Sequence, residues 1–158
     1  MGVTTATHEF KSSIPAPRMY KALLEDSPTL FPKIMPQYKS KVVQGDGGVG
    51  SILETCFPDE GNQVKIVKHK VEAQDPANYY AKYTVIEGSP LSDNIESVVN
   101  ERKIEPAGDG CVVKATDHYH TKGGAADKAM IDAIGKQTTT VYKLVQDYLL
   151  ANPGACCA

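Results

Sequence analysis

The sequence predicts an α+β fold: a seven-stranded curved antiparallel sheet gripping a long C-terminal helix, with two short helices between the first two strands. Three observations carry this. Strand-like runs fill residues 39–121, short turn-rich stretches separate them, and the apolar period lengthens to three and four residues only after 127. Short connections require antiparallel pairing, because a parallel pair needs a long crossover. No repeat, linker or low-complexity tract divides the chain, so residues 1–158 read as a single domain.

The opening run, 3–12, is threonine-rich and ends ahead of Pro15 and Pro17, as a first strand would. Those prolines suit the first turn of a short helix reaching Leu24. A second short helix around 27–34 is bounded by Pro28, Pro32 and Pro36. Neither is long enough to stand alone, so both must pack on something. Further strands are expected at 41–44, 51–57, 64–73, 79–87, 95–104 and 111–121. Glycine clusters, Asp59-Glu60-Gly61-Asn62, Asp75-Pro76, Gly88-Ser89-Pro90 and Ala107-Gly108-Asp109-Gly110 separate them.

In 127–151 the apolar residues Met130, Ile134, Val141, Leu144, Val145, Tyr148 and Leu149 keep helical spacing, and Asn152-Pro153-Gly154 ends the run. Its middle holds Gly135 and Gln137-Thr138-Thr139-Thr140, all poor helix formers. They interrupt the apolar stripe where a solid core would need it. A hollow between sheet and helix would tolerate the break, since polar groups there meet water or a ligand.

A net charge of −2 offers no basic footprint for specific nucleic-acid binding or for an anionic membrane. The longest apolar runs are far too short to span a bilayer, and the first ten residues lack the pattern of a signal peptide. The cysteines Cys56, Cys111, Cys156 and Cys157 follow no zinc or disulfide spacing and read as reduced thiols of a cytoplasmic protein. Nothing demands more than a monomer. Eight tyrosines against three phenylalanines and no tryptophan imply an interior that is partly wet or lined with hydroxyls.

Several motifs, in order along the chain, resemble one family. They are Gly45-Asp46-Gly47-Gly48-Val49-Gly50, Val85-Ile86-Glu87-Gly88, Tyr119-His120-Thr121-Lys122-Gly123 and Tyr148-Leu149-Leu150-Ala151-Asn152-Pro153. Met1-Gly2-Val3 and Leu30-Phe31-Pro32-Lys33 fit the same pattern. This resembles the birch-pollen-allergen family, the plant pathogenesis-related proteins of class ten, within the START-like helix-grip superfamily. The resemblance implies a large internal cavity that takes small apolar molecules: a cytokinin, a flavonoid, a steroid or an alkaloid precursor. It also implies a role in defence or hormone response.

Strand alternation assigns the faces. Cys111, Val113, Ala115, Asp117 and Tyr119 share the more apolar face of the last strand, and Tyr119 is the tyrosine that the resemblance places in the cavity. Also expected inward are Leu53, Thr55 and Phe57, then Val67, His69 and Val71, then Tyr79, Ala81, Tyr83 and Val85. Val98, Asn100, Arg102 and Ile104 follow, and the helix adds Met130, Ile134, Thr138 and Val141. Leu23 completes the expected lining. The aliphatic members serve a core equally well. His69, Tyr83 and Tyr119 carry polar atoms that need partners, which a ligand or water supplies.

Four chemical readings compete with simple binding. The loop of Gly45, Asp46, Gly47, Gly48 and Gly50 has amides free to turn toward a phosphate, but it joins two strands and lacks the Walker ending, so it reads as a rigid hairpin connection. His118 and His120 share a strand face, but without a third ligand no metal is expected, and no cofactor either. Of the ribonuclease pattern that the resemblance suggests, Glu96 and Tyr148 match, while Leu53 and Gln146 stand where a lysine and a glutamate belong. The fourth reading is an amine–aldehyde condensation, as in the norcoclaurine-synthase-like branch that Ser51-Ile52-Leu53-Glu54 and Cys111-Val112-Val113-Lys114 resemble locally. There Lys114 would polarise a carbonyl and Glu101 or Asp132 would move protons. Alternation puts Lys114 opposite Tyr119 unless a bulge intervenes, and Val98, Val99 and Asn100 stand where a tyrosine is expected. The leading expectation is storage or transport of an apolar metabolite without covalent chemistry; the condensation is the alternative.

Overall fold

In the computed structural model, which describes residues 2–58 and 64–156, the strand-forming runs pair into one seven-stranded antiparallel sheet. The strands are β1 (Gly2–Ser12), β2 (Lys39–Gln44), β3 (Ile52–Pro58), β4 (Val64–Asp75), β5 (Tyr80–Gly88), β6 (Ile95–Ala107) and β7 (Gly110–Thr121). Their order is β1-β7-β6-β5-β4-β3-β2, so short connections make neighbours of successive strands from β2 to β7. The first strand then pairs with the last, Gly2 opposite Thr121 and Ser12 opposite Cys111. On β7 Cys111, Val113, Ala115, Asp117, Tyr119 and Thr121 are buried and the residues between them are not. A slip of one residue would turn that whole set to water, which pins the register.

Three local features depart from the expected elements. The first short helix, α1 (Ala16–Tyr20), runs into a π-helical turn, Lys21–Glu25, closed by Asp26 N donating to Lys21 O at 2.7 Å. Pro32 lies inside α2 (Ser27–Ile34) rather than bounding it. Tyr79, expected on a strand, has a left-handed backbone (φ 50°) that closes a 3-10 turn, and its ring packs 5.8 Å from that of Tyr20. The expected turn at Asp59-Glu60-Gly61-Asn62 and residue Cys157 lie outside the described residues. Cys56, Cys111 and Cys156 are free thiols. Among the described residues no helix is long and apolar enough to cross a membrane.

The long helix α3 (Lys128–Ala151) corrects the sequence reading. Asp127 caps it, accepting from Ala129 N at 3.0 Å, and the helix runs unbroken through its poor formers. The threonine hydroxyls return to the preceding turn: Thr138 to Ile134 O (2.8 Å), Thr139 to Gly135 O (3.2 Å) and Thr140 to Lys136 O (2.8 Å). Gly135 marks no slack. It is buried against His8 of β1, and a Cβ there would lie 2.1 Å from His8 Cε1. This close approach fixes the rotation of the helix. The buried stripe is therefore Ile131, Gly135, Tyr142, Val145 and Leu149, one step round from the expected Met130, Ile134, Thr138 and Val141, which stay partly accessible.

The larger part of the core lies where α1 and α2 meet the sheet and the end of α3, around Met19, Leu23, Leu30, Ile104, Val113, Tyr142 and Leu149. A smaller part gathers Val67, Val85, Val98, Tyr119 and Ile131. Arg18 of α1 ties the helices together. It donates from Nε to Ala155 O (2.9 Å) and from Nη2 to Leu149 O (2.8 Å) and Asn152 O (2.7 Å), serving carbonyls at the end of α3.

Gly135→Ala should gain about 1 kcal/mol of helix propensity and lose about 1–3 kcal/mol to overpacking against His8. A net loss in urea unfolding, largely reversed by adding His8→Ala, is the expected result. Arg18→Ala should cost about 1–3 kcal/mol in the same assay, since it strips donors from partly buried carbonyls.

Candidate binding site on the concave face

Successive strands bring their inward side chains into rows across the sheet. Asn100 stands between Tyr83 and Asp117, Arg102 between Ala81 and Ala115, and Val98 between Val85 and Tyr119. Asp117, only 1% exposed, accepts on Oδ1 from Asn100 Nδ2 (2.7 Å) and from Arg102 Nη1 (2.8 Å). The same Arg102 nitrogen donates to Glu101 O at 2.9 Å. Removing the arginine would leave a buried carboxylate without its counter-charge, which is why two opposite charges sit together here.

His69 lies alongside, its ring 6.3 Å from that of Tyr83 and nearly perpendicular to it, at 77°. Burial pushes its imidazole down to about 4; the Arg102 charge adds to this and Asp117 opposes it. Burial likewise pushes the phenols of Tyr83 and Tyr119 up to about 12. Tyr38 and Tyr142 are also raised by burial, with the nearby Arg102 charge partly opposing the rise at Tyr142. At neutral pH the imidazole is therefore uncharged and these phenols keep their protons.

The expected lining divides by accessibility. Val67, Val85, Val98 and Tyr119 are fully covered, and Leu23 and Thr55 almost so. Leu53, Phe57, His69, Tyr83, Asn100 and Arg102 keep part of their surface, as do Met130, Ile134, Thr138 and Val141 on the helix. The sequence reading missed Tyr38 and Tyr142. It assigned Arg102 and Asp117 inward separately without pairing them.

The other sequence motifs do not converge on this face. Lys114 is on the outer face, 3.1 Å from Glu105, and β7 runs past it without a bulge against either neighbour. Glu101 is also outside, accepting from Tyr80 OH (2.6 Å) and hydrogen-bonded to His118 Nε2 (2.6 Å), while Asp132 is exposed on α3. The three residues of the condensation reading are thus not brought together. His118 has its other ring nitrogen 3.0 Å from Thr5 Oγ1, and the described residues hold no group of three or more metal-ligating side chains. Glu96 lies on the outer face and Tyr148 packs against the larger core.

The glycine loop serves its own groups. Gly47 N donates to Ser51 Oγ (2.8 Å), Gly48 N to Asp46 Oδ1 (2.8 Å) and Gly50 N to Val71 O (2.8 Å). The Asp46 carboxylate, held below its usual range chiefly by the Gly48 amide, stands where a bound anion would. Gly45 has φ +90°, and a Cβ there would lie 2.4 Å from Ser51 Oγ, so the turn needs glycine.

This sheet, helix and loop have known counterparts. The family model for the pathogenesis-related protein Bet v 1 family matches residues 1–152. The chain belongs to the Bet v 1 family. Curated relatives include the major allergen Mal d 1 of Malus domestica, 42% identical over 98% of this chain and 99% of that protein. The major strawberry allergen Fra a 1.04 of Fragaria ananassa is 44% identical over 99% of this chain and all of its own length. Among solved structures, Ara h 8.0201 superposes with a TM-score of 0.83 at 29% identity, covering 96% of this chain and 100% of that one. Norcoclaurine synthase from Thalictrum flavum, solved with dopamine and hydroxybenzaldehyde, gives 0.72 at 21% identity over 96% and 88% of the two chains. At that identity it shares the Bet v 1 fold, and the likeness goes no further.

His69 gives this Bet v 1 chain a pH dependence of definite sign. Its folded pKa of about 4 lies below the ordinary 6.5, so between these values the unfolded state takes up a proton that the native state refuses. Stability should fall as pH drops from about 6.5 to about 4, by at most about 3 kcal/mol. Urea unfolding at a series of pH values should show this slope, and His69→Leu should flatten it.

Proposed function

We propose that the chain binds one small apolar plant metabolite, of cytokinin, flavonoid or steroid size, in a hollow between the concave face and α3, for storage or transport. One observation carries this reading. His69 and Tyr83 lie deep enough in protein for burial to shift both far from their ordinary pKa values, yet both keep accessible surface on the face that the sheet turns inward. A filled core would cover them, and an outer surface would not shift them. A hollow does both.

Leu53, Phe57, Met130, Ile134 and Val141 provide the apolar wall, while His69, Tyr83, Asn100 and Arg102 provide a few polar handles. Affinity then comes from apolar area removed from water, about 25 cal/mol per Å², less the cost of ordering the ligand. No covalent step is needed. A monomeric carrier acting in the cytosol in a defence or hormone response fits this chemistry.

Calorimetric titration with a cytokinin, a flavonoid, a steroid and dopamine tests the reading. Saturable, near-stoichiometric binding of one of the first three is expected, and Tyr83→Leu should change the order of preference without unfolding the protein. Dopamine mixed with an aldehyde should give no stereoselective product; such a product, lost on Lys114→Ala, would make the protein an enzyme instead.

A further inference from the structure

We propose that the polar end of this site is an acceptor-selective subsite built on Arg102, which takes the carboxylate of an acidic apolar ligand and rejects an ammonium group. The proposal rests on the binding reading above and names the chemical class of its ligand.

A guanidinium carries five N–H groups. Among the described residues Arg102 hydrogen-bonds two acceptors, Glu101 O and Asp117 Oδ1, both from Nη1, with the Tyr142 hydroxyl close by. At least two N–H groups remain without a protein acceptor. None of the Arg102 nitrogens is a sealed, unpaired atom; the side chain stays 15% exposed, while that of Asp117 is 2% exposed. The spare donors therefore face open space and the carboxylate does not.

The ion pair also has a direction. Arg102 and Asp117 together are neutral, but the negative end is covered and the positive end is accessible. A ligand head entering the site meets the guanidinium first and the carboxylate only beyond it. Ala81 and Ala115, the cross-strand neighbours of Arg102, are both fully buried and too small to cover it. The groups within electrostatic reach are His69, Tyr83, Tyr119 and Tyr142. The imidazole is uncharged at neutral pH and the phenols are protonated, so no second anion competes for the fork. A planar carboxylate matches two parallel N–H donors, whereas an ammonium brings only donors and a like charge.

The test uses the full chain and three probes with one apolar body: 2-naphthylacetate, 2-naphthylacetamide and 2-(2-naphthyl)ethylamine. The chain has no tryptophan, so naphthyl fluorescence reports binding with little background. The acid is expected to bind at least about tenfold tighter than the amine, the worth of one charge-assisted contact. The double variant Arg102→Met/Asp117→Asn removes both charges together and avoids stranding a buried carboxylate. It should bring the acid down to the affinity of the amide and leave the amide within about threefold of its wild-type value. Should that variant fail to fold, the acid-to-amine ratio of the wild-type chain decides alone. Equal affinities for the three probes, or an amine that binds tightest, would overturn the subsite and leave the binding reading standing. No saturation by any probe would overturn both.

Discussion

The inner face of this sheet is wider than one helix can cover, and the rest of the structure follows from that mismatch. Seven strands at about 4.8 Å spacing span roughly 29 Å, while a helix with its side chains is about 10–12 Å across. The helix α3 packs down on β1, held close by the bare backbone of Gly135 over His8. Helices α1 and α2 close one end of the sheet and build the larger core there. Between these two covers, inward residues of β3 to β6 stay partly accessible although their strands alternate as core strands do. The incomplete cover is a property of the architecture rather than a local packing fault.

The two faces use polar residues in opposite ways. Outside, Thr5, His118, Glu101 and Tyr80 form a hydrogen-bonded chain that runs across β1, β7, β6 and β5 and stitches four strands together. Its members are satisfied by one another and partly solvated. Inside, Arg102, Asp117 and Asn100 concentrate charge and donors where water is scarce. A buried ion pair of this kind is weak support for stability, because desolvation offsets much of the attraction. Its value lies in the direction it gives the interior, with a donor edge turned toward open space.

Alternation and turn chemistry are local, so strands, faces and the outward position of Lys114 were legible from the residues alone. Pairings were less so. The two-residue turn at Gly108-Asp109 sets β6 against β7 with Ala107 opposite Gly110, which carries Asn100 to Asp117 and Arg102 to Ala115. That register was available from the turn, and following it would have exposed the Arg102–Asp117 pair. Gly135 was read the wrong way round, because a glycine within a helix marks either slack or close approach. The residue that decides between them, His8, stands near the other end of the chain. Arg18 was invisible for the same reason: its three acceptors come into reach only once α1 and the end of α3 are packed.

The acid–base state of the inner face separates recognition from proton transfer. General acid–base catalysis is most effective when a group's pKa lies near the working pH. His69 stays neutral down to about 4, and Tyr83 and Tyr119 keep their protons up to about 12, with burial as the leading cause in each case. Desolvation works against the charge of Arg102, and the Asp117 carboxylate bonded to it more than offsets this, so it stays a guanidinium. Groups held so far from neutrality give and accept hydrogen bonds in fixed roles across the physiological range. The lysine that would lend such a site a movable proton points the other way, paired with Glu105 in solvent. In the proposed binding role, these groups of the inner face would meet a ligand through hydrogen bonds of fixed direction.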